Sequence, residues 1–163
     1  MPTPDLSAIR AFILDVDGVL TDGTLLALNS GEQVRTFHIR DGYAIRHALR
    51  QGYRVIIISG REEVGVRKRL ESLDVHDIYL GVADKMKIFN TYCNLHHLDP
   101  AHVAYMGDDM PDLEVMQRCA VAACPADAAD DVRAISNYIS PLPGGHGAVR
   151  ELLEAVMKVQ QTW

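Results

Sequence analysis

Short apolar segments alternate with helix-like segments along most of this 163-residue chain. The apolar runs are typical of strands buried on both faces, and the longer segments between them carry helical periodicity. We predict strands at 11–14, 54–59, 78–80, 102–106, 120–123 and 138–139, and helices at 41–51, 62–73, 84–97, 113–118, 127–135 and 148–160. This alternation favours one domain over residues 1–163 with an α/β fold, a doubly wound and mostly parallel sheet.

One segment departs from the alternation. Residues 24–28 and 33–39 are β-prone and flank Asn29-Ser30-Gly31, which predicts a β-hairpin projecting from the sheet. Its apolar side chains are Leu25, Leu26, Leu28 and Phe37. A bare hairpin with such side chains has unsatisfied edges, and a partner subunit is one way to cover it.

The composition of the chain limits the partners and the location that we expect for it. The net charge is −6 and no basic block follows the chain, so we expect no nucleic-acid partner. No long apolar run indicates a membrane span, and the first residues lack the form of a signal peptide, which leads us to expect a cytoplasmic protein. The cysteines Cys93, Cys119 and Cys124 lack metal-ligand spacing and are interpreted as reduced core thiols.

Two carboxylates stand where the first strand ends. Asp15 and Asp17 follow the apolar run at 11–14 and precede Gly18. Ligands of open parallel sheets bind outside the carboxyl ends of the strands, so these acids lie where chemistry would be done. An Asp-Gly turn closing a strand is the structural alternative, and it explains Asp17-Gly18 but not Asp15.

Other strand ends carry matching groups. Ser59-Gly60 follows the second strand of the sheet, Gly107-Asp108-Asp109 follows a later one, and Lys85 opens a helix. Asp15 and Asp108 offer the hard oxygen ligands that Mg²⁺ prefers. Ser59 and a neighbouring backbone N–H can bind phosphate oxygens, and Lys85 can neutralise them. The set indicates phosphoryl chemistry, in which a carboxylate can also be the nucleophile.

These residues resemble the motifs of the haloacid dehalogenase superfamily of phosphatases. The motifs are Asp15-Val16-Asp17-Gly18, Ser59, Lys85 and Gly107-Asp108-Asp109-Met110-Pro111-Asp112, in the family's order. The resemblance implies Asp15 as nucleophile, Asp17 as general acid and then base, and Ser59 and Lys85 as phosphate binders. It also implies Mg²⁺ held by Asp15, Asp108 and the Asp17 backbone carbonyl, with supporting roles for Asp109 and Asp112. A general acid at Asp17 favours phosphate ester hydrolysis over dehalogenation.

The chain is similar, more closely, to the capless 3-deoxy-D-manno-octulosonate 8-phosphate phosphatase subfamily. The residues that carry this likeness include Thr21-Asp22-Gly23, Arg40-Asp41-Gly42, Ser59-Gly60-Arg61 and Gly144-Gly145-His146-Gly147-Ala148-Val149-Arg150-Glu151. The gaps between motifs are too short for a cap domain. The subfamily resemblance implies a homotetramer whose neighbouring subunits help to close each site, and a role in lipopolysaccharide precursor biosynthesis.

Substrate choice depends on few residues. Arg61 can pair with a sugar-acid carboxylate, whereas relatives that act on nine-carbon sugar-acid 9-phosphates tend to have Glu there. We predict that Gly60, Arg40 and His146 also contact substrate. Arg61 and Arg40 could instead be ordinary surface charges. Two other functions stay open: a phosphatase for a nine-carbon sugar acid or another small metabolite, and a non-catalytic tetramerisation module of the same fold.

Overall fold

The computed structural model of the protein describes residues 4–163. The first three residues, on which part of the signal-peptide expectation rests, lie outside this range. The strands are β1 (Ala11–Leu14), β2 (Leu26–Ala27), β3 (Gln33–Val34), β4 (Arg54–Ile58), β5 (Asp77–Tyr79), β6 (Val103–Met106), β7 (Val121–Cys124) and β8 (Tyr138–Ile139). The α-helices are α1 (Ile39–Arg50), α2 (Val64–Glu71), α3 (Lys85–His96), α4 (Leu113–Met116), α5 (Asp130–Ile135) and α6 (Ala148–Val159). Short 3₁₀ helices cover Pro100–His102 and Met110–Asp112.

The main sheet has six strands in the order β5-β4-β1-β6-β7-β8. Every neighbouring pair in it is parallel, as the strand–helix alternation predicts. Leu14, the last residue of β1, pairs with Ile57 of β4 on one side and Met106 of β6 on the other. The loops that follow β1, β4 and β6 therefore leave the sheet side by side.

Hydrophobic layers cover both faces of this sheet. Phe12 and Leu14 point into one layer, which α1 and α6 complete with residues such as Ile45 and Leu153. The alternating neighbours Ala11 and Ile13 point into the other layer, with Phe89 of α3 and Val115 of α4. Successive strand side chains face opposite ways, and both faces of a parallel sheet must be covered. The doubly wound α/β prediction is confirmed.

The hairpin is present but short. β2 and β3 form a separate two-stranded antiparallel sheet in which Leu26 pairs with Val34. The predicted strands at 24–28 and 33–39 were too long, because regular pairing ends soon after the turn. Between β1 and β4 the structure has only this hairpin and α1, and between β4 and α3 only α2 and β5. Neither described segment contains a cap domain.

The start of α1 differs from the prediction. Asp41, expected to cap this helix, lies inside its first turn, and the N-cap is His38. The Asp41 side chain is buried and accepts the backbone N–H of Arg150 in the first turn of α6, at 2.8 Å. Asp41 does accept a backbone N–H at the start of a helix, but that helix is α6 and not α1. β1 and β8 have the predicted bounds, and the other strands of the main sheet and the other helices differ from prediction by at most three residues at either end.

Two further expectations concern membrane-spanning helices and the state of the cysteines. No helix within residues 4–163 combines the length and apolarity that crossing a bilayer requires. The three cysteines are free, with Cys93 and Cys124 buried and Cys119 partly buried.

Candidate active site

A cavity of about 940 Å³ opens at the carboxyl edge of the main sheet. It collects residues from the loops after β1, β4 and β6 and from the start of α3. Of the predicted site residues, those that line it are Asp15, Asp17, Ser59, Gly60, Arg61, Lys85, Asp108 and Asp109. Topology explains this convergence, since adjacent parallel strands end at one edge.

Asp15 lies at the floor of the cavity. It follows β1 directly and is largely buried. Its Oδ1 accepts the backbone N–H of Val16 at 2.7 Å, and its Oδ2 lies 2.9 Å from Nζ of Lys85. These two contacts fix the orientation of the carboxylate. A positioned carboxylate at a cavity floor is suited to act as a nucleophile.

Asp112 organises the residues beneath the cavity. Its Oδ1 accepts Lys85 Nζ at 2.7 Å and the Tyr105 hydroxyl at 2.6 Å, and its Oδ2 accepts the backbone N–H of Asp108 at 3.2 Å. Asp112 is fully buried, so these donors compensate the cost of removing its charge from water. The same contacts tie α3, β6 and the loop after β6 together.

The carboxylates of Asp15, Asp108 and Asp112 meet closely enough to share a cation, with one ligand atom from each lying within 4.8 Å of the others. Burial, followed by repulsion from Asp112, raises the pKa of Asp15 to about 6. Burial, followed by repulsion from Asp15, raises the pKa of Asp108 to about 7. Burial lowers the pKa of Lys85, but Asp15 and Asp112 raise it by more.

This donor set fits Mg²⁺. The three carboxylates face a single ammonium, so a divalent cation balances the charge of the cluster. Asp112 already accepts several hydrogen bonds, which leaves Asp15 and Asp108 as the better-placed direct ligands. Hard oxygen ligands from a few carboxylates are what Mg²⁺ selects in proteins.

Glycines bring the surrounding loops close together. Gly18 has φ of +79°, and a Cβ there would collide with the Asp108 carboxylate. A Cβ on Gly144 would collide with the carbonyl oxygen of Gly18, because the loop before α6 packs against the loop after β1. The N–H of Gly145 also donates to the carbonyl of Val19 at 3.0 Å. The loop that carries the first acidic pair is thus supported by a loop from late in the chain.

Asp17 sits at the rim and is held from outside the cavity. Arg35, just after β3, donates from Nε to Oδ1 at 2.6 Å and from Nη2 to Oδ2 at 3.1 Å. Arg61 is more distant, with its Nε 3.9 Å from Oδ2 of Asp17 and its side chain 60% exposed. Arg61 therefore remains available to a ligand in the cavity.

Arg40 and His146 do not line this cavity. They lie in a second cavity of about 700 Å³ beside α1 and α6, together with His38 and Arg150. His146 contacts the carbonyl of Gly144 through Nδ1 at 2.8 Å. Substrate contact by Arg40 and His146 stays a prediction, and within one subunit the geometry does not bring them to Asp15.

Sequence reasoning missed Arg35 and Tyr105. Tyr105 lies inside the apolar run of β6, where a tyrosine is normally interpreted as core packing. Arg35 is an isolated charge beside a hairpin, and its partner depends on how that hairpin folds back. One usable signal was present for Tyr105: the hydroxyl of a fully buried tyrosine needs a hydrogen-bond partner.

No protein-family model matches the chain. It is 38% identical over 152 residues to the 3-deoxy-D-manno-octulosonate 8-phosphate phosphatase KdsC of Escherichia coli K12, covering 93% of this chain and 81% of that protein.

Two solved structures superpose closely. One is the 3-deoxy-D-manno-octulosonate 8-phosphate phosphatase of Moraxella catarrhalis in complex with magnesium, phosphate and KDO, with a TM-score of 0.92, 31% identity, and coverage of 96% of this chain and 90% of that one. The other is the cobalt-bound deoxy-D-mannose-octulosonate 8-phosphate phosphatase of Haemophilus influenzae, with a TM-score of 0.92, 32% identity, and coverage of 96% and 89%. With these relatives and the acidic site described above, the chain belongs to the 3-deoxy-D-manno-octulosonate 8-phosphate phosphatase family of the haloacid dehalogenase superfamily.

Proposed function

We propose that this protein is a Mg²⁺-dependent phosphatase that hydrolyses 3-deoxy-D-manno-octulosonate 8-phosphate to the free sugar acid and phosphate. The observation that carries the proposal is the oriented Asp15 carboxylate, which shares an open cavity with Lys85, Ser59 and Asp108. Phosphoryl transfer depends mainly on positioning and on charge stabilisation, and this constellation supplies both. The named relatives support the choice of substrate.

The first half of the reaction forms an aspartyl-phosphate. Asp15 attacks phosphorus while Ser59 and Lys85 bind the phosphate oxygens. The bond from phosphorus to the sugar oxygen breaks, and Asp17 gives its proton to that oxygen. Asp15, Asp108 and the Asp17 backbone carbonyl would hold Mg²⁺, which would supply positive charge that offsets the phosphate and the nucleophile.

The second half regenerates the enzyme. Asp17, now a carboxylate, takes a proton from water as the water oxygen attacks phosphorus. The bond between phosphorus and Asp15 breaks, and phosphate leaves. Asp109 and Asp112 support the site indirectly, since Asp109 caps the 3₁₀ helix at Met110–Asp112 and Asp112 holds Lys85.

Arg61 supports selection of a sugar acid. Arg61 lines the cavity and its side chain is 60% exposed, so a substrate carboxylate can reach it. Arginine pairs with carboxylates through two parallel hydrogen bonds. The proposed role is in lipopolysaccharide precursor biosynthesis, as the family resemblance implies. We also propose a cytoplasmic location, where the free cysteines remain reduced.

The test is phosphate release from a panel of sugar phosphates and sugar-acid phosphates, with Mg²⁺ and with a chelator. We expect release that requires Mg²⁺ and is fastest for 3-deoxy-D-manno-octulosonate 8-phosphate, because only the sugar acids offer a carboxylate to Arg61. Faster release from a nine-carbon sugar-acid 9-phosphate would change the substrate and keep the chemistry. No release from any member would contradict the catalytic proposal and favour an assembly module.

We further propose that the protein works as a homotetramer of single-domain subunits, and the hairpin is the supporting observation. Leu25, Leu26, Leu28 and Val34 are all exposed there, with Leu26 exposed by 62%. Within residues 4–163 the two strands pair only with each other, so their outer edges offer unpaired backbone groups. A neighbouring copy would bury this apolar surface and would also help to close the open cavity, for which the described residues provide no cap.

Leu26→Glu tests the assembly. We expect the wild type to sediment with the mass of four chains and Leu26→Glu to sediment as a smaller species, since a charge would be buried unpaired. Leu95→Glu is the matched control, because Leu95 is 70% exposed on α3, away from the hairpin. A monomeric wild type, or a tetrameric Leu26→Glu, would contradict the proposal.

A further inference from the structure

The guanidinium of Arg35 is held on several sides. Its Nε and Nη2 donate to the two oxygens of Asp17, and its Nη1 donates to the carbonyl of Gln33 at 3.3 Å and lies 3.7 Å from Oε1 of Glu63. These partners belong to the loop after β1, to the hairpin and to the residue that precedes α2. The Arg35 side chain is only 2% exposed.

This burial distinguishes Arg35 from Arg61. Arg35 does not line the cavity that contains Asp15, whereas the exposed Arg61 does. Arg35 is almost fully buried, and the two nitrogens that it turns toward the site both donate to Asp17. It can act on the reaction only through Asp17, whose carboxylate reaches the cavity rim.

The geometry of the pair fixes the direction of Asp17. A guanidinium bound through two nitrogens to both carboxylate oxygens restrains the plane of the carboxylate as well as its distance. Without this pair, the one charged contact left to the Asp17 side chain among the described residues would be the weak one with Arg61 at 3.9 Å. Its side chain is 31% exposed and would then turn among several rotamers.

We propose that Arg35 is a positioning residue that aims the Asp17 carboxyl at the leaving-group oxygen and at the attacking water. This rests on the proposed function, in which Asp17 carries a proton on an oxygen lone pair that Arg35 leaves free and transfers it to the sugar oxygen as the bond to phosphorus breaks. Proton transfer to a poor leaving group contributes about 10²- to 10⁴-fold to rate and depends on the geometry of the acid. The hairpin therefore takes part in catalysis through its Arg35.

The test compares leaving groups. A sugar alkoxide needs protonation to leave, but nitrophenolate does not. We expect Arg35→Gln to lower kcat/KM for 3-deoxy-D-manno-octulosonate 8-phosphate by about 10- to 100-fold, and for p-nitrophenyl phosphate by no more than about 3-fold. Arg35→Lys should recover part of the loss, because one donor can still reach Asp17. Asp17→Asn should show the same selectivity, and adding Arg35→Gln to it should have little further effect.

Control variants distinguish an error in the positioning role of Arg35 from an error in the proposed mechanism. Arg67→Gln removes a more exposed arginine that pairs with Glu62, and we expect it to leave both rates unchanged. Equal losses for both substrates in Arg35→Gln would mean a structural role and overturn the proposal, as would no loss in either. If Asp17→Asn shows no selectivity, the proposed mechanism itself fails. If Asp17→Asn is selective and Arg35→Gln is not, only the positioning role is wrong.

A second readout does not depend on turnover. Urea unfolding in chelator should show that Arg35→Gln and Asp17→Asn are not additive, because each removes one partner of the same pair. If Arg35→Gln unfolds, Arg35→Lys is measured in both assays instead. Additive unfolding midpoints for the two sites would contradict the pairing.

Discussion

Asp15→Asn is expected to lose nearly all phosphatase activity while remaining folded. An asparagine side chain has almost the same shape and can still accept the Val16 N–H, but its amide does not form the phosphorylated intermediate. Loss of a nucleophile removes most of the chemical rate, so we expect kcat to fall by about 10⁴-fold or more. Phosphate release from the sugar-acid substrate at saturating Mg²⁺ measures this.

Stability provides the control for Asp15→Asn. Burial and the repulsion from Asp112 disfavour the ionised form of Asp15, which is why its pKa is raised to about 6. At pH 7 the substitution removes a charge that the folded state tolerates poorly. We therefore expect its unfolding midpoint in chelator to equal or exceed that of the wild type. Substantial activity in a preparation free of wild-type enzyme would rule out Asp15 as the nucleophile.

Lys85→Met is expected to cause a large loss of stability. Its ammonium is the cation that contacts both Asp15 and Asp112, at 2.9 and 2.7 Å. Removing one member of a buried ionic cluster leaves uncompensated charge and costs about 3 to 5 kcal/mol. Urea unfolding in chelator measures this loss. We expect Mg²⁺ to restore part of it, because a cation that binds only the folded state stabilises that state.

Lys87→Met is the matched control. Lys87 is exposed on the same helix, two residues after Lys85, and makes no ion pair within the described residues. We expect a change below about 0.5 kcal/mol for this surface substitution. If Lys85→Met in chelator were as stable as Lys87→Met, the network around Asp112 would not be the stabilising element described above. Activity of Lys85→Met should also fall, since the bound phosphate would lose its nearest ammonium.

The convergence of Asp15, Ser59, Lys85 and Asp108 could be predicted because it depends on topology. Each follows a parallel strand or opens a helix, and the sheet order brings those ends together. Local sequence patterns indicate where each strand ends and where each helix begins. The catalytic roles of these residues remain predictions, which the variants above test.

Local sequence patterns do not predict the contacts that Arg35 and Asp41 make. Asp41 has the chemistry of a helix cap, but the helix it caps begins more than a hundred residues later. The pairing of Arg35 with Asp17 depends on how a short hairpin folds back toward the loop after β1. Both are contacts between distant segments, and neither spacing nor composition specifies them. The same holds for Arg40 and His146. The motifs that contain them suggest contact with substrate but do not predict where these side chains lie in the fold.

The packing of Gly144 against Gly18 has a consequence for biosynthesis. Proteins are synthesised from the N-terminus. When residues 1–120 have left the ribosome, the nascent chain therefore already contains Asp15, Ser59, Lys85 and Asp108. The loop after β1 nevertheless lacks its support until Gly144 has also emerged. The nascent chain therefore carries these acidic residues before the loop after β1 has its support, and we expect competence for catalysis only after Gly144 has emerged.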